Sequence, residues 1–358
     1  VARAAIKILG QRKSPFRVPA GVGDAFLDEL SIDAQEAQGD LDHNSEKNSS
    51  GPSLLHRFDT LLWQTRSTLL AEHPDKYVYW IEKNPPRFEC RHLSPGEVLN
   101  DYMQKKTVIY TSATLASGGS FDPFTGETKR DFTYFQHDVG SNGATVLGVE
   151  SPFDFPTSAR WFLPAEMSME PNDPTWGNAV RQVLPRLAKA ARGRMLVLST
   201  AWERARDYAE VLRKDGWKVI LQGDDSTVEL VKTFRESPGT ILVGTASLWT
   251  GIDVPGEALS LLVVDRLPFA SPGDPVMEAR SELLGREAFY RLSLPDAVIR
   301  LRQGVGRLIR RQDDRGVWCF LDSRVMSKSY GKTFRSALPW CPRIDTWDAL
   351  TSFLNKQA

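Results

Sequence analysis

The stretch RMLVLSTAWERARDYAEVLRKDGWKVILQGDDSTVELVKTFRESPGTILVGT, Arg194–Thr245, decides the fold. It holds the short apolar runs MLVLST (195–200), KVILQG (218–223) and TILVGT (240–245). Between them lie segments with helical character, Trp202–Lys214 and Val228–Arg235. The runs do not alternate apolar with polar residues, so each strand must be covered on both faces. Continuous apolar strands separated by amphipathic helices mean a parallel sheet with helices on either side.

The same grammar continues outward. LSLLVVD (259–265) and GVWCFLD (316–322) read as further strands, making five with the three above. Pro275–Gly285 and Pro295–Arg311 read as helices, the second opened by a proline at its first turn. In such sheets ligands gather at the C-terminal ends of the strands. That rule points to Ser199–Thr200, Gln222, Thr245–Asp253 and Asp322.

Upstream the pattern loosens. Val1–Gly10 reads as helix, and residues 1–30 alternate helix-like stretches with Gly and Pro. Residues 31–53 are polar and nearly free of large apolar groups, which predicts a mobile insert. Residues 54–71 place Leu54, Leu55, Phe58, Leu61, Leu62 and Leu69 at helical spacing. YVYWIE from Tyr77 and the run Phe88–Leu93 are strand-like, and the short helix Pro95–Gln104 leads into a strand at Thr107–Thr111. The segment 117–150, rich in Gly, Asp and Thr, reads as an irregular connection.

Composition narrows the class. Of the 358 residues, 41% are hydrophobic and 25% charged, ordinary for a globular protein with two or three domains. The formal net charge is +0, so contact with nucleic acid must come from local patches. The three cysteines, Cys90, Cys319 and Cys341, are scattered. That argues against a disulfide framework, fits a reducing cytoplasm, and falls short of the four ligands of an iron–sulfur cluster. No apolar run approaches the roughly 18 residues of a membrane span, and no signal peptide opens the chain. Val1 is not an initiating methionine, so the sequence reads as part of a longer protein. The histidines, His43, His56, His73, His92 and His137, lack metal-ligand spacing and read as structural or surface residues.

QGVGRLIR, Gln303–Arg310, carries the strongest chemical signal. On one helix Arg307 and Arg310 would share a face, with Gln303 a turn earlier. Two guanidinium groups and an amide suit a polyphosphate whose charge grows in the transition state, because arginine stays protonated and bonds phosphate oxygens bidentately. The plainer reading is a solvated basic helix face. Gly304 and Gly306 weigh against it, since an exposed helix gains nothing from glycine, whereas close backbone approach to another surface does. GTASLWTGIDVPG, Gly244–Gly256, follows a strand. Hydroxyls at Thr245, Ser247 and Thr250, with Gly251 allowing tight approach, make a phosphate-contacting loop. Asp253 there suits a ribose hydroxyl or an arginine, and Trp249 a stacked base. Taken alone, the stretch also reads as a strand-to-helix turn with a buried tryptophan. TSATL, Thr111–Leu115, puts small hydroxyl residues at a strand end, a common and unspecific feature.

In combination these pieces gain meaning. TSATL, VLST (197–200), GTASLWTGIDVPG, DRLPF (265–269) and QGVGRLIR occur in an order and at distances that resemble the C-terminal part of superfamily 2 helicases, within them the DinG/YoaA/XPD-like group. SPFDFP (151–156), LPFASPGDP (267–275), LPDAVIRLRQGVGRLIR (294–310) and GVWCFLDSRVMSKSYG (316–331) extend the resemblance over about residues 77–340.

The resemblance implies an α/β fold: a RecA-like parallel-sheet domain, the second helicase motor domain, with a partial first motor domain and a helical Arch-like subdomain. The implied plan is an Arch-like remnant at 1–75, the end of the first motor domain and a connector at 76–155, and the second motor domain at 156–358. It implies that Ser112, Ala113 and Thr114 couple hydrolysis to strand movement. Ser199 and Thr200 would touch the DNA backbone, and Thr245–Asp253 both DNA and nucleotide. Gln303, Arg307 and Arg310 would face the γ-phosphate of ATP, with Gly304 and Gly306 alongside. The implied partners are single-stranded or forked DNA and the N-terminal motor domain of the same polypeptide, with movement 5′→3′. The implied cofactors are ATP and Mg²⁺, held mainly by that other half. An iron–sulfur cluster would belong to the parent protein and not to this chain.

The departures are specific. No GxxxxGK[ST] is present: SKSYGKT (327–333) ends in GKT, but Met326 stands where the first glycine belongs. No DEAH-like box is present either, and LLVVD (261–265) falls between the wrong motifs. Thr250 stands where the group usually has Glu. The chain by itself is therefore expected to lack ATPase activity. The alternative reading is a non-catalytic nucleic-acid or protein binding module with a RecA-like fold. A nuclease is disfavoured because no acidic metal-binding set is apparent.

Overall fold

Apolar runs without polar alternation cannot leave either face in water, and those read between Met195 and Leu321 all lie within one sheet. The structure, a computed structural model, describes residues 15–17, 73–83, 86–121, 128–245, 248 and 258–356. The helices expected at 1–10 and 54–71 and the insert at 31–53 lie outside the described residues. Packing groups the chain into two units, neither continuous in sequence. One comprises residues 1–107, 138–141 and 270–292, the other 108–137, 142–269 and 293–358.

The first unit contains an antiparallel sheet of β1 (Phe16–Arg17), β2 (Tyr77–Lys83) and β3 (Pro86–His92), followed by α1 (Pro95–Met103). Helix Pro275–Leu284 covers it, setting Ala279 and Val276 against Val78, Trp80 and Leu93. Asp274 starts that helix by accepting from the amides of Val276 and Met277, both at 3.0 Å.

The second unit opens with a hairpin, β4 (Gly118–Phe121) and β5 (Thr128–Asp131), and a short helix, α2 (Thr133–Asp138). The expectation of an irregular connection at 117–150 is thus corrected. Cross-strand pairing makes these strands, with no apolar periodicity to announce them. The strand expected at Thr107–Thr111 is not formed: the chain there pairs with no strand among the described residues, and Ile109 is 85% exposed. An apolar run becomes a strand only when a neighbour takes up its backbone groups.

The main sheet has seven strands in the order β12-β6-β11-β10-β7-β9-β8, all parallel. They are β6 (Ala159–Phe162), β7 (Met195–Leu198), β8 (Val219–Leu221), β9 (Ile241–Gly244), β10 (Leu261–Val264), β11 (Gly316–Phe320) and β12 (Arg343–Ile344). Sequence reading placed five of these strands and missed β6, half-exposed at its middle, and β12, too short to show a pattern. It also missed helix α3 (Trp176–Ala190), whose amphipathic run is interrupted by Pro185. Gly193, just after α3, has φ +76°, and a Cβ there would come within 2.1 Å of the Gly239 carbonyl oxygen, so only glycine fits.

Helix α4 (Trp202–Lys214) buries Ala205, Tyr208, Ala209 and Leu212, the one-stripe spacing of a helix laid on a sheet. Helix α5 (Thr227–Glu236) is capped by the Ser226 hydroxyl, which accepts from the Glu229 amide at 3.3 Å. In the core, Val180, Leu184 and Leu187 of α3 join Tyr208 and Leu212 of α4 and the strand residues Val197, Val243, Val263 and Cys319. The buried indoles are satisfied: Trp176 Nε1 donates to the Leu321 carbonyl at 2.9 Å and Trp318 Nε1 to the Val305 carbonyl at 3.1 Å.

Candidate functional site

The C-terminal ends of the parallel strands present Ser199, Thr200, Gln222, Thr245, Asp265 and Asp322. Asp265, at the end of β10, is fully buried. Its carboxylate accepts from the Ser199 hydroxyl (2.8 Å), the Thr200 amide (3.0 Å), Arg204 Nε (3.1 Å), the Tyr208 hydroxyl (3.3 Å) and the Arg266 amide (2.6 Å). Burial pushes this carboxyl up from its ordinary value, and the Arg204 guanidinium and Ser199 hydroxyl pull against that shift. Arg204 also donates to the Thr200 hydroxyl at 2.6 Å. Ser199 is itself fully buried, so its side chain anchors the loop, and Thr200 carries the loop's half-exposed groups. Reading by motif passes through Asp265 in DRLPF and LLVVD without giving it a role, and does not name Arg204. The signal was present in a lone acid closing the apolar run LLVV.

Gln222, after β8, accepts through Oε1 from the Thr245 amide at 2.7 Å and from its hydroxyl at 3.3 Å. The ends of β8 and β9 are thereby cross-linked. Ser247, Trp249, Gly251 and Asp253, with Thr250, lie outside the described residues. Asp322, buried at the end of β11, accepts from the Leu267 amide at 2.8 Å and from Arg324 Nη2 at 2.7 Å. The carboxylates of Asp265 and Asp322 are therefore both committed to protein donors. Among the described residues the strand ends leave no uncommitted carboxylate pair.

The geometry of QGVGRLIR corrects the sequence reading. Helix α6 (Leu294–Val305) ends before the arginines, with Gly306 at its C-cap. Gln303 and Gly304 are helical, and Gly304 is buried. Arg307 lies in the following turn, its amide bonded to the Gly304 carbonyl at 3.1 Å. Arg310 lies beyond, in the segment leading to β11. The two arginines do not share a helix face. The last turn tightens to three-residue spacing, the Arg307 and Leu308 amides donating to the Gly304 and Val305 carbonyls, and the buried Trp318 indole also donates to the Val305 carbonyl. Beyond it, the Asp314 carboxylate accepts from the amides of Arg310 and Arg311, both at 2.8 Å, and fixes the loop. Gly306 is exposed with φ −64°, and a Cβ there would meet only the carbonyl oxygens of its own preceding turn, Arg302 at 3.1 Å and Gln303 at 3.8 Å, so the close approach to another surface expected of it is not seen among the described residues.

TSATL forms a turn. The Ser112 hydroxyl accepts from the Thr114 amide at 3.2 Å, and the chain beyond is held as Ala116 and Ser117 become buried. Arg302, beside Gln303 on α6, donates through Nη2 to the Ala113 carbonyl at 3.0 Å and through Nη1 to the Ala116 carbonyl. Arg302 was not among the residues singled out by motif.

Residues 184–341 match the helicase C-terminal domain family. This segment is similar to helicase C-terminal domains. The chain is similar to the ATP-dependent DNA helicase YoaA of Escherichia coli K12, 36% identical over 291 residues, 79% of this chain and 44% of that protein. YoaA of Haemophilus influenzae is 34% identical over 290 residues, 78% of this chain and 43% of that protein. The ATP-dependent helicase DinG of Mycobacterium tuberculosis H37Rv is 36% identical over 296 residues, again 78% and 43%. The chain thus spans less than half the length of these relatives. In fold, a solved XPD helicase structure superposes with a TM-score of 0.59 at 16% identity, covering 96% of this chain and 61% of that one. The matched segment and its flanks are thus α/β with a RecA-like parallel sheet. No helix among the described residues is long and apolar enough to cross a membrane.

Proposed function

We propose that this chain is the C-terminal motor half of an ATP-dependent DNA helicase that moves 5′→3′ on single-stranded or forked DNA. The carrying observation is the apolar side chains left in water on either side of the TSATL turn and its hairpin. Val108, Ile109, Leu147 and Val149 are 42%, 85%, 82% and 72% exposed, in extended segments that pair with no strand among the described residues. Extended apolar segments of this kind call for sheet neighbours. The N-terminal motor domain of the same polypeptide supplies them in this reading, together with the P-loop and the Mg²⁺ site. Mg²⁺ held in that half would neutralise phosphate charge.

On this reading residues 1–75 belong to the Arch-like part, 76–155 complete the first motor domain, and 156–358 are the second. Gln303, Arg307 and Arg310 face the terminal phosphate of ATP, and the Asp314-held loop sets where Arg310 projects. Gly304 and Gly306 let the backbone come close. Thr200, Thr245 and Gln222, with Ser247 and Trp249, grip single-stranded DNA, and Gly251 and Asp253 meet the nucleotide. Ser112, Ala113 and Thr114 relay the nucleotide state.

The test uses the full-length protein that carries the P-loop half. Arg310→Ala should lower ATP turnover by about 10³-fold or more, the scale of an arginine finger, while ATP binding stays within a few-fold. Unchanged turnover removes the finger assignment. The 358-residue chain alone should hydrolyse no ATP. Strong DNA-stimulated turnover by it would overturn the division of labour.

A further inference from the structure

We infer that Arg302 is a positioning residue that ties the TSATL turn to the helix bearing Gln303, so that the nucleotide-facing loop and the coupling turn move as one. The inference rests on the motor reading above and goes a step past it.

Arg302 spends a guanidinium on two main-chain carbonyls, those of Ala113 and Ala116, and forms no ion pair among the described residues. Burial, with Arg130 adding like charge nearby, pushes its pKa down from the ordinary arginine range. A cation drawn partly out of water is commonly paired with a carboxylate. Half-buried Arg302 instead meets two carbonyls that the backbone of residues 113–116 aims at one planar fork. The contact therefore reads the shape of the turn and ignores its side chains.

The other end of Arg302 is equally placed. Its own carbonyl accepts from the Gly306 amide at 3.0 Å, at the point where α6 gives way to the loop of Arg307 and Arg310. One residue thus grips the coupling turn with its side chain and closes the helix before that loop with its main chain. The turn is held downstream as well, where the Ser117 amide donates to the Asp131 carbonyl at 2.8 Å. Next along that hairpin strand, Arg130 Nη2 donates to the Val149 carbonyl at 3.1 Å. Residues 146–149 are thus tied to the hairpin through Arg130, and the turn that follows segment 108–110 is tied to α6 through Arg302. In this inference, displacement of the turn is passed to the helix that carries Gln303.

The experiment compares wild type, Arg302→Met and Arg302→Lys in the full-length protein. The ratio of turnover with single-stranded DNA to turnover without it should fall about 5-fold or more in Arg302→Met, the scale of a coupling free energy. Arg302→Lys, which can reach one carbonyl but not both, should fall in between. In the 358-residue chain, amide hydrogen exchange at residues 113–117 should speed up in Arg302→Met and not in helix α4. An unchanged ratio, or both rates falling in proportion, overturns the inference. Unchanged exchange at 113–117 overturns it too. Faster exchange throughout the chain would mean a general packing role and would also sink it. A wild type without DNA-stimulated turnover defeats the motor reading and the coupling role with it, while the exchange measurement still decides whether Arg302 holds the turn.

Discussion

Replacing Asp265 by alanine tests whether the strand-end loop is held as described. The carboxylate is fully buried and is the common acceptor for Ser199, Thr200, Arg204, Tyr208 and Arg266. Removing one side of a buried ion pair costs about 3–5 kcal/mol. The Arg204 side chain keeps 27% exposure and can turn toward water, so its share belongs at the lower end of that range. The Ser199 hydroxyl can turn to the Ala201 carbonyl, 3.1 Å away, but the buried Tyr208 hydroxyl loses its acceptor, and a buried donor left unsatisfied costs about 1–3 kcal/mol. The sum stays near 3–5 kcal/mol, since the loop relaxes around the hole. For a unit of this size that is on the order of a 10 °C drop in melting temperature. Urea unfolding followed by the fluorescence of the buried tryptophans, Trp176 and Trp318, measures it. The double variant Asp265→Ala/Arg204→Met should recover at least about 1 kcal/mol of the loss, because it removes the stranded cation. A single-variant loss under about 1 kcal/mol, or strict additivity in the double variant, would refute the argument that this network holds the loop.

Two further outcomes are expected. Trp318→Phe should cost about 1–3 kcal/mol, since the buried Val305 carbonyl loses the indole donor and the cavity is only partly refilled; a change below about 0.5 kcal/mol in urea unfolding would show that this contact does not anchor the end of α6. In the native chain near pH 8, a thiol reagent should modify Cys90 and spare Cys319 and Cys341. Burial pushes the Cys341 thiol up to about 12 and that of Cys319 well above its ordinary value, so neither forms thiolate there. Rapid modification of all three without unfolding would contradict the packing.

Much of the chemistry was legible in the chain. The uninterrupted apolar runs MLVL, ILVG and LLVV carry the parallel sheet by themselves, because no other arrangement hides both faces. The run of motifs from TSATL to QGVGRLIR pointed to a helicase half, and the family match and the relatives agree with it. What local sequence could not decide is anything settled by distant partners. Helix α6 reads as continuing to Arg311, yet it ends at Val305, where an indole brought by β11 donates to the Val305 carbonyl and the Asp314 carboxylate beyond takes the amides of Arg310 and Arg311. The run Thr107–Thr111 reads as strand and forms none among the described residues, because strand pairing belongs to two segments and not to one. The hairpin at 118–131 was invisible for the opposite reason: pairing across it stabilises residues with little strand character of their own. Composition, periodicity and motif spacing are properties of the chain and determined the fold class and the chemical types present. Which arginine lies on a helix, which acid is buried, and that Arg302 reaches a turn far away in sequence depend on side chains meeting across the fold, and only the tertiary structure decides them.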